Sequence, residues 1–341
     1  MALIFLAIAI LILVLFVMNV VLGSVSIPLI EILKILGGAE SQPASWQSIV
    51  IDTRLPQAIT AVLAGASLGV SGLMMQTLFR NPLAGPSVLG VSSGASLGVA
   101  LLMLFASVPG VRILTQSQIA GNFSVVIAAF GGAFAVLLLI MLLAARYRSN
   151  TTILIIGIMI AYVISAVVGI LQFYSFKDDL QAFVIWGLGS FANVSWQQLT
   201  FFIPIVILGI FAAVLLIKPM NALLLGNNYA SNLGINTRLV SLLIIVVAGI
   251  LVAAVTAYCG PIAFLGIAIP HLSRNLLKSS NHLIVVPGTI LSGIALALLC
   301  NLIARLPGFD GALPINAITS IIGAPVVIWV ILKSSHYQKS L

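Results

Sequence analysis

Charge is what this chain has least of. Only 6% of its 341 residues are Asp, Glu, Lys or Arg, against about a quarter in a soluble domain, and so low a share excludes an ordinary water-soluble fold. The complement is 62% hydrophobic residues and a mean hydropathy of +1.28, the composition of a polytopic membrane protein. Each crossing needs about 20 apolar residues at a rise of about 1.5 Å each, and must be helical, because hydrocarbon offers no partner to a bare backbone amide.

Further absences narrow the function. None of the six carboxylates (Glu31, Glu40, Asp52, Asp178, Asp179, Asp310) lies inside an apolar segment, which argues against proton or sodium coupling through a buried acid. The chain contains no Gly-Lys pair, so it lacks a phosphate-cradling loop of the G-x-x-x-x-G-K-[ST] kind and does not hydrolyse a nucleotide by that route. A net charge of +8 is spread singly over the ends of apolar runs, not gathered into a basic patch that would bind nucleic acid. Cys259 and Cys300 fall in or beside apolar runs and read as buried thiols, neither a disulfide framework nor a metal site. No cluster of His, Cys, Asp or Glu shares a face, which disfavours a membrane-embedded enzyme.

What is present is a series of apolar segments near 2–22, 56–79, 88–108, 121–145, 151–173, 198–217, 240–260, 262–273, 283–304 and 313–332. The first lacks a basic leader and is longer than a signal-peptide core, so it reads as a retained helix. The uncharged stretch 239–273 is too long for one span and is broken at Cys259-Gly260-Pro261. Ten crossings put both termini on one side. That side carries Arg80, Arg146, Arg148, Lys218, Arg238, Arg274, Lys278, Lys333 and Lys339, against Lys34, Arg54, Arg112, Lys177 and Arg305 on the other. The positive-inside rule therefore places both termini in the cytoplasm.

Two halves of five spans would have inverted orientations, as in many transporters. Residues 62–72 are faintly echoed by 247–260, and Gly85-Pro86 before Leu89-Gly90 is echoed by Gly260-Pro261 before Leu265-Gly266. Gly65, Gly69 and Gly72, with Ala61, Ala64 and Ser71 between them, suit close helix packing. A multispan chain with neither an internal ion site nor its own ATPase is either a passive pore or a subunit driven by a partner. The loop 218–239 has an apolar stretch and two glycines. It predicts two short interfacial helices that serve as a docking surface, or else an amphipathic connector.

The string RLPQAITAVLAGASLGVSGLMMQTLFRNPLAGPSVLGVSSGASLG at 54–98 resembles the signature region of the permeases of iron-siderophore, haem and cobalamin ABC importers. The resemblance continues with KPMNALLLGNN and NLGIN within 218–236, GPIAFLGIAIPHLSR at 260–274 and LPINAITSIIGAPVVIWVIL at 313–332, in the family's order and spacing. It implies an all-α polytopic fold of ten transmembrane helices in two inverted halves, the type II ABC importer permease fold, as a single permease domain over 1–341. It also implies a bacterial cytoplasmic (inner) membrane location and alternating access. The expected partners are a second permease subunit, most simply as a homodimer, two cytoplasmic ATP-binding subunits, and a periplasmic or lipid-anchored binding protein that delivers the chelate. ATP-Mg belongs to the partner ATPase; no cofactor is expected in this chain. Ferric siderophore is the favoured cargo, with haem and cobalamin beside it.

Residue by residue, the resemblance places Arg54 and Arg305 at the outer mouth, where arginine forks would pair with carboxylates of the binding protein; interfacial anchoring is the alternative. Gln57 stands where many relatives have a second arginine. Asn81, Asn150 and Thr151 match the cytoplasmic gate, with an Asn-Pro turn at Asn81 and N-capping at Asn150 and Thr151 as the plainer readings. Gly226, Asn227, Asn228, Leu233 and Gly234 match the segment that couples to the ATPase, although relatives often carry an acid after the first glycine. His271 lacks the companions of a metal ligand. A secondary transporter or channel that works alone remains the alternative function.

Overall fold

A computed structural model describes residues 1–23, 25–38, 43–104, 118–147, 149–305 and 313–338, with side chains for all of these except 118–122 and 330–338. Glu40, Arg112, Arg148, Asp310 and Lys339 lie outside the described residues. In chain order the long helices are α1 (Ala2–Val21), α4 (Leu55–Phe79), α5 (Val91–Leu104), α6 (Gln118–Arg146), α7 (Asn150–Phe173), α9 (Trp196–Leu215), α12 (Thr237–Cys259), α13 (Leu265–Leu277), α14 (His282–Ala304) and α15 (Ile315–Gln338). Short helices α2 (Leu29–Leu36) and α3 (Ala44–Ser48) precede α4, α8 (Lys177–Gly187) follows α7, and α10 (Ile217–Leu225) and α11 (Asn227–Asn232) lie between α9 and α12.

These ten long helices coincide with the ten apolar segments. Among the described residues, seven helices are long and apolar enough to span a bilayer on their own, while α5 and the apolar part of α15 are shorter. The chain is a multi-pass membrane protein. The face where α1 begins and α15 ends is called the near face below, and the opposite one the far face. Glu31, Asp52, Asp178 and Asp179 all sit on far-face elements.

Inversion is visible in who packs on whom. Helix α4 packs along α14, and its counterpart α12 packs along α6; the α5–α6, α5–α7 and α1–α4 contacts recur as α13–α14, α13–α15 and α9–α12; α4 and α12 meet each other. The two Gly-Pro loops also correspond, with one adjustment. Gly90 (φ 74°) sits directly before α5 and Phe264 (φ 65°) directly before α13, so the left-handed residue opening each short helix is the true equivalent. The second loop is one residue shorter, and the Leu-Gly string that the sequence echo paired with Leu89-Gly90 lies just inside α13, at Leu265-Gly266.

Helix α4 is the centre of the bundle and is buried over most of its length. A Cβ at Gly65 would lie 2.2 Å from the Gly293 carbonyl oxygen, one at Gly293 2.3 Å from the Gly65 oxygen, and one at Gly72 1.7 Å from the Gly266 oxygen. Small residues therefore let the backbones touch, the packing role expected of them in lipid.

Two features were not legible. The helix containing α4 begins not at the Leu55-Pro56 break but earlier, through α3 and a π-helical turn at Ile49–Arg54. Proline lacks the amide that an α-helical turn would use, so the chain widens by a residue instead of breaking. Helix α8 follows the short turn after α7 and covers the far face, with Asp178 and Asp179 in its first turn, where the helix dipole favours them.

Candidate functional site

The near-face end of α4 is one of the places where polar contacts between elements gather. In its last turns Gln76 Oε1 accepts from Arg274 Nη1 at 2.9 Å, and Gln76 Nε2 donates to the Ile267 carbonyl at 3.2 Å, which ties α4 to α13. Arg80 closes the helix in the left-handed conformation (φ 47°). Asn81 follows it, and its Oδ1 accepts the Leu83 amide at 2.9 Å, an Asx turn that sets the Asn-Pro corner. His271 sits 2.7 Å by Nε2 from the Pro82 carbonyl, so this ring holds the corner. Among the described residues no group of three or more His, Cys, Asp or Glu is placed to hold a metal.

Asn150 is brought to the same place. Its Nδ2 donates to the Leu78 carbonyl at 2.8 Å, crossing from the first turn of α7 to the last turn of α4. The N-cap of α7 is Ser149, whose side chain accepts from the Thr152 amide at 3.3 Å. Capping thus explains neither Asn150, which bridges helices, nor Thr151, which is exposed. Asn81 and Asn150 therefore both stand at the near-face end of α4, with Thr151 next to Asn150 in the chain.

The 218–239 segment does form two short helices, α10 and α11, separated at Gly226 (φ 125°, ψ 147°) and closed after α11 by Gly234 (φ 78°). Their inner sides bury Met220, Leu223 and Ala230. Their outer sides expose Leu225 (66%), Tyr229 (50%) and Leu233 (58%). Asn227 and Asn228 are both exposed, and Asn227 Oδ1 accepts Arg80 Nη2 at 3.1 Å. Asn150 and Asn227 line one cleft of about 340 Å³ with Tyr147, Ser231 and Arg238. Arg238 also donates to the Ala145 carbonyl, joining α12 to α6.

Arg54 and Arg305 meet on the far face at the end of α1. Arg54 is 1% exposed. Its Nη1 donates to the carbonyls of Val20 (3.0 Å) and Val21 (2.6 Å), its Nη2 to that of Val25, and its Nε is buried without a partner among the described residues. Arg305 Nη1 donates to the Asn19 carbonyl at 3.4 Å. Both guanidinium groups flank Gly23, where a Cβ would lie 2.8 Å from Arg305 Nη2 and 3.0 Å from Arg54 Nη2. A positive charge is stabilised at a helix C-terminus by its unpaired carbonyls, and both arginines use α1 in this way. Burial first, and the charge of Arg54 second, push the Arg305 guanidinium down to about 10, which leaves it charged at neutral pH.

Gln57 points inward as well. Its Nε2 donates to Asn301 Oδ1 (2.9 Å), Asn301 Nδ2 donates to Asn19 Oδ1 (2.8 Å), and Asn19 Nδ2 donates to the carbonyls of Leu15 (2.8 Å) and Leu298 (3.0 Å). This amide chain joins α4, α14 and α1 in the core. Its one early signal was Asn19 itself, the sole polar side chain of α1.

A helical bundle of inverted halves, with a cluster of polar contacts at one end of its central helix and exposed apolar side chains on the short helices beside it, has the architecture of a membrane transport permease. Sequence comparison agrees. The family model described as the FecCD transport family matches residues 11–333. The chain is 36% identical over 302 residues to the vitamin B12 import system permease protein BtuC of Salmonella arizonae, covering 86% of this chain and 87% of the relative. It is likewise 36% identical over 297 residues to the protein of that name from Citrobacter koseri, with 86% and 87% covered. A solved structure described as an inward-facing conformation of a transporter assigned to the metal-chelate ABC type superposes with a TM-score of 0.84 at 30% identity, covering 98% of this chain and all of that one. The chain belongs to the FecCD transport family, and it is a permease of the ABC importer type.

Proposed function

We propose that this chain forms half of an import pathway for a bulky metal chelate across a bacterial inner membrane, driven by partner ATP-binding subunits that dock on α10 and α11 at a cytoplasmic near face. The carrying observation is the docking segment: three large apolar side chains, Leu225, Tyr229 and Leu233, stand in the open on and directly after two short helices, the first of which packs on α4. Exposed apolar groups gathered at one place mark an interaction surface.

The positive-inside count supports the orientation. The 340 Å³ near-face cleft and a far-face cleft of about 380 Å³ beside Trp186, Asn193 and Tyr258 are at the small end of drug-sized pockets. Neither encloses a chelate, which favours a pathway between two copies. The relatives named for vitamin B12 and the neighbour described as metal-chelate put cobalamin beside ferric siderophore and haem within the cargo class. A binding protein would deliver the cargo at the far face. Arg305 is the more accessible of the two arginines there, so docking rests on Arg305 directly and on Arg54 through the end of α1 that it holds.

The test exchanges Leu225, Tyr229 and Leu233 for serine in the affinity-tagged chain. The ATP-binding subunit should stop co-purifying while the chain stays monodisperse in detergent; unchanged co-purification would overturn the assignment.

A further inference from the structure

We infer that the half-buried Asn221 and the buried His282 and Thr77 form a switch through which the docking segment positions the gate end of α4. The inference rests on the reading of α10 and α11 as the ATPase-coupled segment. Asn221 stands on α10, five residues before the Gly226 break. Its Oδ1 accepts both the backbone amide and Nδ1 of His282, each at 2.8 Å. The amide is not free to turn over, because its Nδ2 donates to Asn281 Oδ1 at 3.0 Å, and that oxygen already caps α14 by accepting the Leu283 amide. His282 therefore carries its proton on Nδ1 in the neutral ring, and Nε2 presents a lone pair.

That lone pair meets Thr77 Oγ1 at 2.8 Å, in the last full turn of α4. The same hydroxyl lies 2.8 Å from the Leu73 carbonyl. One proton thus has two acceptors at equal distance. Donated to His282, it joins α4 to α14 and, through Asn221, to α10. Donated to Leu73, it turns back into its own helix and leaves the ring to contact α4 only by packing. His282 and Thr77 are each 1% exposed, so water does not compete for either arrangement. A coupling route needs an element with two discrete states that both ends bias. Here one end is α10, under the docking surface, and the other is the turn that leads three residues later to Arg80 and then to Asn81.

A separate link, from Arg80 at the end of α4 to Asn227 on α11, is exposed and open to competition by water. Neither His282 nor Thr77 was singled out in the sequence, since Asn221, His282 and Thr77 lie far apart in the chain and carry no motif.

The experiment uses the chain co-purified with its ATP-binding subunit in nanodiscs. A Leu83→Cys reporter is placed on the exposed near-face corner (Leu83 is 42% exposed) and labelled with a membrane-impermeant maleimide. Trapping with ATP and vanadate should change the labelling rate roughly tenfold in the reporter background, the size of an ordinary coupling effect. Thr77→Val, which keeps the shape and removes the proton, should reduce that change to less than about twofold with ATP hydrolysis and subunit association retained. Asn221→Ser should do the same from the other end, and Thr77→Ser should restore the response. The inference is overturned if Thr77→Val and Asn221→Ser keep the full nucleotide response, or if they lose it only together with ATPase association, which would mean simple structural support. Failure of the reporter chain itself to bind an ATPase or respond to nucleotide would instead defeat the coupling reading on which the inference stands.

Discussion

Replacing Gly65 by alanine should separate α4 from α14 and cost more than any gain in helix propensity. The added Cβ would lie 2.2 Å from the Gly293 carbonyl oxygen and 2.7 Å from Ala297 Cβ. An ordinary contact begins at about 3.4 Å, so the two backbones must part by more than about 1 Å along a packed interface. The obstacle is backbone on the far side, which cannot rotate away, and overpacking of this kind costs about 1–3 kcal/mol. Gly131→Ala supplies the control. Gly131 is also inside a helix, but a Cβ there meets nothing within 4 Å, so it should gain up to about 1 kcal/mol from propensity alone. The propensity gain is common to both variants, so the difference between them is the steric term, about 1–3 kcal/mol. Reversible unfolding in mixed detergent, followed by circular dichroism, measures it. Equal stabilities would refute the claim that backbone contact between α4 and α14 sets the bundle's spacing.

Three further outcomes follow from the geometry. Asn301→Leu should destabilise the fold by about 1–3 kcal/mol, because the amides of Gln57 and Asn19 both lose a buried partner. The Gln57–Asn301 coupling energy itself, from a double-mutant cycle, should be nearer the ~0.6 kcal/mol usual between membrane helices. Ser149→Ala should cost about 1 kcal/mol of stability as the N-cap of α7 is lost, whereas Thr151→Ala should change stability by less than about 0.5 kcal/mol; equal effects would refute the assignment of the cap. Arg305→Glu should abolish stimulation of ATP hydrolysis by a binding protein while basal hydrolysis persists, and unchanged stimulation would remove Arg305 from docking.

How much was legible depends on how far apart the interacting residues lie in the chain. Apolar runs marked every long helix, and glycine at 226 and 234 marked the breaks around α11, because each of these features is local. Gly-Pro at 85 and 260 marked the inverted halves for the same reason. Arg54 read as a surface charge, since nothing near it in sequence reveals that it caps the end of α1 more than 30 residues upstream. Gln57 read as a lost docking charge, and only the fold shows its amide chain to Asn301 and Asn19. At Asn150 a local clue was available but misassigned: Ser149 directly precedes it and is a cap residue by type, which frees Asn150 to reach α4. The polar hub at the end of α4 draws on residues from five helices, and no single stretch of sequence contains it.

The central claim is that this permease does not move its cargo alone. It is tested most directly by uptake into proteoliposomes containing the chain with and without its co-purified ATP-binding subunit, with binding protein inside or outside, and with cyanocobalamin and a ferric hydroxamate as separate probes. The account predicts accumulation of one probe only when the ATP-binding subunit and ATP are both present. Equal uptake by the chain alone would contradict it.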